Sequence, residues 1–207
     1  MDAKICGIKD INTLKYITGH NHSPKFIGFI VNYIKSKRYV EYNLLKKLLY
    51  IDKNKTNYVA VLVDPDKNIL NKIKYFNFDY YQLYNVSPEQ TKFIKNQYKK
   101  KIISALTIKN RKDVDQYKKY EFISDIILFD SKGYEKSIGF DHKLLNDVPG
   151  TITKMLAGNI QYNDKLDNYS KITDIIDISG SLETSGEKDI SKINIFLENI
   201  YKIRNAN

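Results

Sequence analysis

The sequence predicts an α/β protein, a single-domain (β/α)8 TIM barrel spanning residues 1–207. Three observations predict it. Short apolar, β-branched runs recur about every 25 residues, and the stretches between them carry apolar residues at helical spacing. Several of the runs are apolar on both faces, as strands are when one face fills a barrel and the other lies under helices. At 207 residues the chain can bury one substantial core and sits at the small end of what a single barrel occupies. A doubly wound open sheet would use similar elements, but it usually carries a Gly-rich phosphate loop after its first strand, and Gly7-Ile8-Lys9 is not one.

Eight strand–helix pairs follow in order. Ala3–Ile8 is a short apolar run that reaches Cys6 and gives way to Gly7, and Ile11–Thr18 is the amphipathic stretch after it. Phe26–Val31 is apolar throughout and precedes Glu41–Leu49, whose leucines gather on one helical face. Tyr58–Val63 is rich in valine and precedes Lys67–Tyr75; Tyr80–Tyr84 is aromatic and precedes Pro88–Gln97. Ile102–Ile108 leads to Val114–Tyr120, and Asp125–Phe129 to His142–Asp147, with Asp141 placed as a helix N-cap. Lys154–Ala157 with Ile160–Lys171, and Ile175–Ile178 with Asp189–Ile203, complete the set. No Pro/Gly/Ser-rich linker divides the chain.

Composition narrows the function classes. No apolar run approaches the 18 or so residues that would span a bilayer, so a membrane role is not expected. The N-terminus runs straight into a strand-like segment without the features of a signal peptide, and a cytoplasmic location is expected. A single cysteine excludes an intramolecular disulfide, and His20, His22 and His142 show no metal-ligand spacing with it, so no metal site is expected. The formal charge of +10 invites a nucleic-acid partner, yet of 34 basic residues only Arg38, Arg111 and Arg204 are arginine, and the lysines are dispersed. Nucleic-acid surfaces concentrate charge and favour arginine, so no nucleic-acid partner is expected. Oligomeric state, monomer or homodimer, is left open.

Two strand ends carry chemistry. Cys6 closes the first apolar run, and Asp130 closes the run that begins at Asp125. A thiol and a carboxylic acid at the ends of two barrel strands could act as base and acid on either side of one substrate. Gly158 and Gly180 each stand just after a late strand, where barrels that take phosphorylated substrates commonly bind phosphate on backbone N–H groups.

Taken in order, these segments resemble the phosphoribosylanthranilate isomerases, barrel enzymes of tryptophan biosynthesis, over essentially the whole chain. The resemblance rests on Lys4-Ile5-Cys6-Gly7, on Gly28-Phe29-Ile30 followed by Ser36-Lys37-Arg38, and on Gln82-Leu83. It continues through Leu128-Phe129-Asp130, Gly139-Phe140-Asp141, Leu156-Ala157-Gly158-Asn159-Ile160 and Asp177-Ile178-Ser179-Gly180-Ser181-Leu182-Glu183, with Gly186, Lys188 and Asp189 following. It implies an Amadori rearrangement of N-(5′-phosphoribosyl)anthranilate that needs neither cofactor nor metal. It assigns Cys6 as general base and Asp130 as general acid. It places Arg38, Gln82, Gly158, Asn159, Gly180 and Ser181 on the phosphorylated substrate, with Arg38 gripping a carboxylate bidentately.

Both catalytic roles require perturbed pKa values: burial must raise Asp130, and a favourable field must lower Cys6. Lys4 shares a strand face with Cys6 one layer down and is not expected to supply that field. Asp177 and Glu183 are expected to hold the final loop by hydrogen bonds. The sequence departs from the family pattern at Tyr84-Asn85, where His-Gly is frequent, at Asn159 in place of a second glycine, and in the order Gly180-Ser181. Ser104 and His142 stand where a lysine and a tryptophan are common. Three other readings are a related indole-3-glycerol phosphate synthase barrel, a barrel that binds without catalysis, and a basic nucleic-acid-binding protein. The order of motifs disfavours the first, and retention of both Cys6 and Asp130 disfavours the second.

Overall fold

Alternation decides which residues face the inside of this sheet. The structure is a computed structural model and describes residues 1–131 and 139–206. Its eight strands, β1 (Asp2–Cys6), β2 (Phe26–Ile30), β3 (Asn57–Val63), β4 (Tyr80–Tyr84), β5 (Lys101–Ile108), β6 (Ile126–Ser131), β7 (Lys154–Leu156) and β8 (Ile175–Ile178), form one closed barrel in which each pairs in parallel with its neighbours. The strands lie in chain order, and β8 returns to pair with β1, Lys4 opposite Asp177. Every second residue points inward, which gathers Phe26, Val59, Val61, Ile103, Leu128 and Met155 into one buried cluster inside the barrel. The opposite faces, including Ile5, Ile27, Ala60, Leu62, Phe129 and Ile176, pack outward against the helices in a larger cluster.

The helices are α1 (Ile11–Gly19), α2 (Tyr42–Leu49), α3 (Lys67–Ile73) and α4 (Pro88–Tyr98), then the one-turn α5 (Arg111–Val114) and α6 (Asp167–Ser170), and finally α7 (Ile190–Ala206). Asp10, Asp66 and Ser87 accept from the backbone N–H groups of Thr13, Ile69 and Gln90, capping three of these helices; each such cap contributes about 1 kcal/mol. α7 fastens the closure, since the Arg204 guanidinium donates to the Met1 carbonyl at 3.1 Å and to Asp2 Oδ1 at 2.6 Å. A two-stranded hairpin of β9 (Glu183–Thr184) and β10 (Glu187–Lys188) follows β8. Its turn residues Ser185 and Gly186 both have positive φ, the conformation that tight hairpin loops need. Among the described residues no helix is long and apolar enough to cross a membrane.

The expected strands are all present, β4 and β8 with the expected bounds and the others within two residues. Three expected helices are reduced to 3₁₀ segments or a single turn. Val114–Tyr120 is a 3₁₀ segment, Asp115–Lys119, after α5, and His142–Asp147 is a single 3₁₀ turn, His142–Leu145. Asp141 caps that turn as expected, accepting from the Lys143 N–H. Ile160–Lys171 yields only α6. Here Asp164 accepts from the Gln161 backbone N–H at 2.9 Å and from the Tyr169 hydroxyl at 3.2 Å, a local arrangement that competes with helix.

Candidate active site

The same alternation that fills the barrel places Cys6 and Asp130 on its inner face at the C-terminal ends of β1 and β6. Both are only half-buried, because the last inward layer opens into a cleft of about 910 Å³ that they line together with Tyr84, Asp177 and Arg38. The loops after β7 and β8 form another part of its wall, through Gly158, Asn159, Gly180 and Ser181. Of the eight sequence-predicted site residues, seven therefore meet at one cleft.

Beneath Cys6 the barrel holds a buried ion pair. The Lys4 ammonium, fully buried, donates to Asp177 Oδ2 at 2.7 Å. Gly28, the partner of Cys6 across β1 and β2, provides the room: a methyl group there would lie 2.9 Å from Cys6 Sγ and 3.1 Å from Lys4 Nζ. Burial pushes the Cys6 thiol up; the Lys4 ammonium beside it pulls it back, Asp177 opposes that, and Lys188 assists by a smaller amount. Burial draws Lys4 down, but Asp177 and Cys6 outweigh it and hold the ammonium above its ordinary value. This corrects two expectations. Lys4 does act on Cys6, since a charge one layer down is still close in a medium that screens poorly. Asp177 anchors that charge inside the barrel and is not a loop-holding residue.

Asp130 faces this pair across the mouth. Burial pushes its carboxyl up to about 6, against the opposing hydrogen bond from Tyr84, which supplies the perturbation a carboxylic acid needs to donate near neutrality. The Tyr84 hydroxyl donates to Asp130 Oδ2 at 2.8 Å, and the Gln82 side-chain amide donates to the Tyr84 oxygen at 3.2 Å. Gln82 is the one predicted substrate-binding residue that the structure removes from the cleft. It is only 1% exposed, because Tyr84, two residues nearer the mouth on the same face of β4, covers it. Ser104 points to the outer face of β5, where its hydroxyl meets that of Ser124 at 2.6 Å, so it does not occupy an inward catalytic position.

Arg38 comes from the loop after β2. Its Nε and Nη2 donate to the two carboxylate oxygens of Glu183, at 2.5 and 2.9 Å, the two-pronged geometry that a planar guanidinium allows. Lys188 Nζ also donates to Glu183, at 2.9 Å, and to the Ser179 carbonyl at 2.9 Å, while the Ser179 hydroxyl donates to the Cys6 carbonyl at 2.9 Å. The loop after β8 is thereby tied to β1. The Arg38 stem lies across Gly7, which has φ +77° and where a methyl group would fall 2.4 Å from Arg38 Cδ. Glu183 thus holds Arg38 as well as its own loop.

At the other side of the cleft, Gly158 has φ +96° and Asn159 φ +56°. Asparagine tolerates the left-handed region better than most side chains, so the departure from a second glycine leaves the backbone path intact. The Ser131 hydroxyl lies against Gly158, and that of Ser181 lines the cleft next to Gly180; both are buried and without a hydrogen-bond partner among the described residues. Ser131 carries no signal in the sequence, because its hydroxyl meets Gly158 only once β6 and the loop after β7 are side by side in the barrel. A methyl group on Gly158 would lie 2.1 Å from Ser131 Oγ and 2.8 Å from its backbone nitrogen. Gly158→Ala is therefore expected to cost about 1–3 kcal/mol and to lower the thermal midpoint by roughly 5 °C, measured by circular dichroism.

Sequence and fold comparisons cover nearly the whole chain. Residues 3–199 match the family described as N-(5′phosphoribosyl)anthranilate (PRA) isomerase. The isomerase of that name from Rhizobium etli (strain ATCC 51251 / DSM 11541 / JCM 21823 / NBRC 15573 / CFN 42) is 33% identical over 208 residues, covering 95% of this chain and 92% of its own. The one from Zymomonas mobilis subsp. pomaceae is 31% identical, covering 94% and 95%. The crystal structure of phosphoribosyl anthranilate isomerase from Thermotoga maritima superposes with a TM-score of 0.85 at 22% identity, over 98% of this chain and 99% of that one. A further solved isomerase, in complex with reduced 1-(o-carboxyphenylamino)-1-deoxyribulose 5-phosphate, superposes with a TM-score of 0.83 at 22% identity, with the same coverage. With its closed barrel and a match over nearly its whole length, the chain belongs to the N-(5′-phosphoribosyl)anthranilate isomerase family.

Proposed function

We propose that this chain is one catalytic barrel over residues 1–207 that converts N-(5′-phosphoribosyl)anthranilate to 1-(o-carboxyphenylamino)-1-deoxyribulose 5-phosphate, a step of tryptophan biosynthesis. The observation that carries the reading is the pairing of a thiol and a raised-pKa carboxyl, Cys6 and Asp130, at one cleft. Asp130 gives its proton to the ribose ring oxygen as the bond from that oxygen to C1 breaks, leaving an iminium. The Cys6 thiolate then takes the proton from C2, and the electron pair of the C–H bond moves to form an enolamine. In the final tautomerisation one proton arrives at C1 and one leaves the C2 hydroxyl, so the two groups together return to their starting proton count.

Substrate binding divides between Arg38 and the loops after β7 and β8. Glu183 uses the Nε edge of Arg38, leaving other guanidinium N–H groups for the anthranilate carboxylate. Gly158, Asn159, Gly180 and Ser181 form the phosphate end, where glycine lets the backbone approach closely. The partner in this reading is a small phosphorylated molecule and not a nucleic acid.

The test is to incubate the protein with phosphoribosylanthranilate generated in situ and identify the product chromatographically. Appearance of the deoxyribulose phosphate supports the reading, and unchanged substrate contradicts it. Arg38→Ala is expected to raise KM about 10- to 100-fold while changing kcat by only about threefold, because a contact made equally in ground and transition states contributes to binding alone. Steady-state kinetics on the purified variant separate the two.

A further inference from the structure

Asp130 must do more than be protonated: its proton has to sit on the oxygen that meets the substrate, and its negative charge has to be accommodated as the proton leaves. The groups that face it are Tyr84 from β4, Asp177 from β8 and Lys4 from β1, with the Ser131 backbone N–H from its own strand. Of these, Tyr84 is fixed by a further contact. Its oxygen accepts from the Gln82 amide at 3.2 Å, and its O–H donates to Asp130 Oδ2 at 2.8 Å. Both residues lie on the inward face of β4, Gln82 1% and Tyr84 9% exposed.

We propose that Gln82 and Tyr84 form a hydrogen-bond relay that positions the general acid: Gln82 orients the Tyr84 hydroxyl, and Tyr84 pins Asp130 Oδ2 so that the transferable proton is carried on Oδ1. This rests on the reading of Asp130 as the acid. With an amide N–H directed at its lone pair, the phenol has its own proton free for the carboxylate. Burial and the neighbouring Asp130 keep Tyr84 far above the ordinary phenol range, so it stays a neutral donor throughout the cycle. As Asp130 releases its proton to the ring oxygen, charge grows on the carboxylate, and the Tyr84 O–H bond to it strengthens. Tyr84 and Gln82 are positioning residues here, acting through Asp130.

The relay is tested with Tyr84→Phe, Gln82→Met and the double variant, each checked for a native circular dichroism spectrum. Two readouts are taken: kcat and KM across pH, and the Asp130 titration followed by carboxyl carbon NMR in the same proteins. Tyr84 stabilises the ionised carboxylate, so its loss moves the Asp130 midpoint to higher pH, by about one pH unit for a lost charge-assisted hydrogen bond. Tyr84→Phe is expected to lower kcat about 10- to 100-fold with KM within about threefold, and Gln82→Met to act in the same direction by a smaller factor. The double variant is expected to be no worse than Tyr84→Phe alone, because Gln82 acts only through Tyr84.

An unmoved Asp130 midpoint in Tyr84→Phe overturns the relay, as does independent addition of the two effects. A wild type that folds but does not turn over the substrate overturns the isomerase reading instead, and the NMR titration still decides whether Tyr84 governs Asp130.

Discussion

Asp130→Asn will lower kcat by about 10²- to 10⁴-fold, and Cys6→Ala will do the same, each with a folded barrel. The amide keeps the shape of the carboxyl but has no acidic proton for the ring oxygen, and alanine removes the thiolate without filling the space. The pH dependence of the wild type carries a sharper expectation. Burial holds Asp130 near about 6 and pushes the Cys6 thiol above its ordinary value, so the resting pair at neutral pH is thiol and carboxylate. The reactive pair is thiolate and carboxylic acid, which holds the same number of protons. Between the two pKa values the ratio of these forms does not change with pH, and kcat/KM is therefore flat. Below about 6 both groups become protonated, the base is lost, and activity falls about tenfold per pH unit; above the thiol pKa both are ionised and the acid is lost. In Asp130→Asn the inflection near pH 6 disappears. Steady-state assays between about pH 5 and 10 on both proteins check this, and a wild-type activity that rises as pH drops below about 6 would sink the assignment.

Lys4→Met will damage stability and turnover together, and the two losses can be separated. The substitution leaves the Asp177 carboxylate inside the barrel without its cation, which costs about 3–5 kcal/mol for a broken buried pair and lowers the thermal midpoint by roughly 10 °C. It also removes the ammonium that offsets burial at Cys6, so the thiol rises further and less thiolate is present. Replacing both partners, Lys4→Met with Asp177→Asn, removes the stranded charge and is expected to recover much of the stability. Turnover will stay low in the double variant, because the cation beside Cys6 is still missing. Thermal melts and kcat on the single and double variants test this; recovery of kcat with stability would show that Lys4 is only structural.

Much of this site follows from strand parity. A run such as Asp125-Ile-Ile-Leu-Phe-Asp130 states both its length and its face, and the closed order of parallel strands brings its end to the same mouth as Cys6. What parity leaves out is which inward side chains meet across the barrel. Lys4 and Cys6 are two residues apart and share a face, but the partnership of Lys4 with Asp177 spans 173 positions and depends on β8 closing on β1. One signal was available: a lysine inside an apolar barrel needs a counter-charge, and the aspartate within Ile175-Ile-Asp-Ile178 is an inward candidate. Gln82 illustrates the opposite error. Its strand and its face were legible, but its depth was not, because the larger Tyr84 above it closes the way to the cleft. The helix after β7 misled for another reason: a periodic pattern of apolar residues does not outweigh an aspartate, Asp164, that satisfies the backbone locally.

The most direct test of the central claim follows the loss of phosphoribosylanthranilate fluorescence with wild type and Cys6→Ala side by side. Steady turnover by the wild type that falls by at least about 10²-fold in Cys6→Ala, at equal folding, is the result predicted for a thiolate general base. Equal turnover by the two proteins would contradict it and move the base to another group at the cleft.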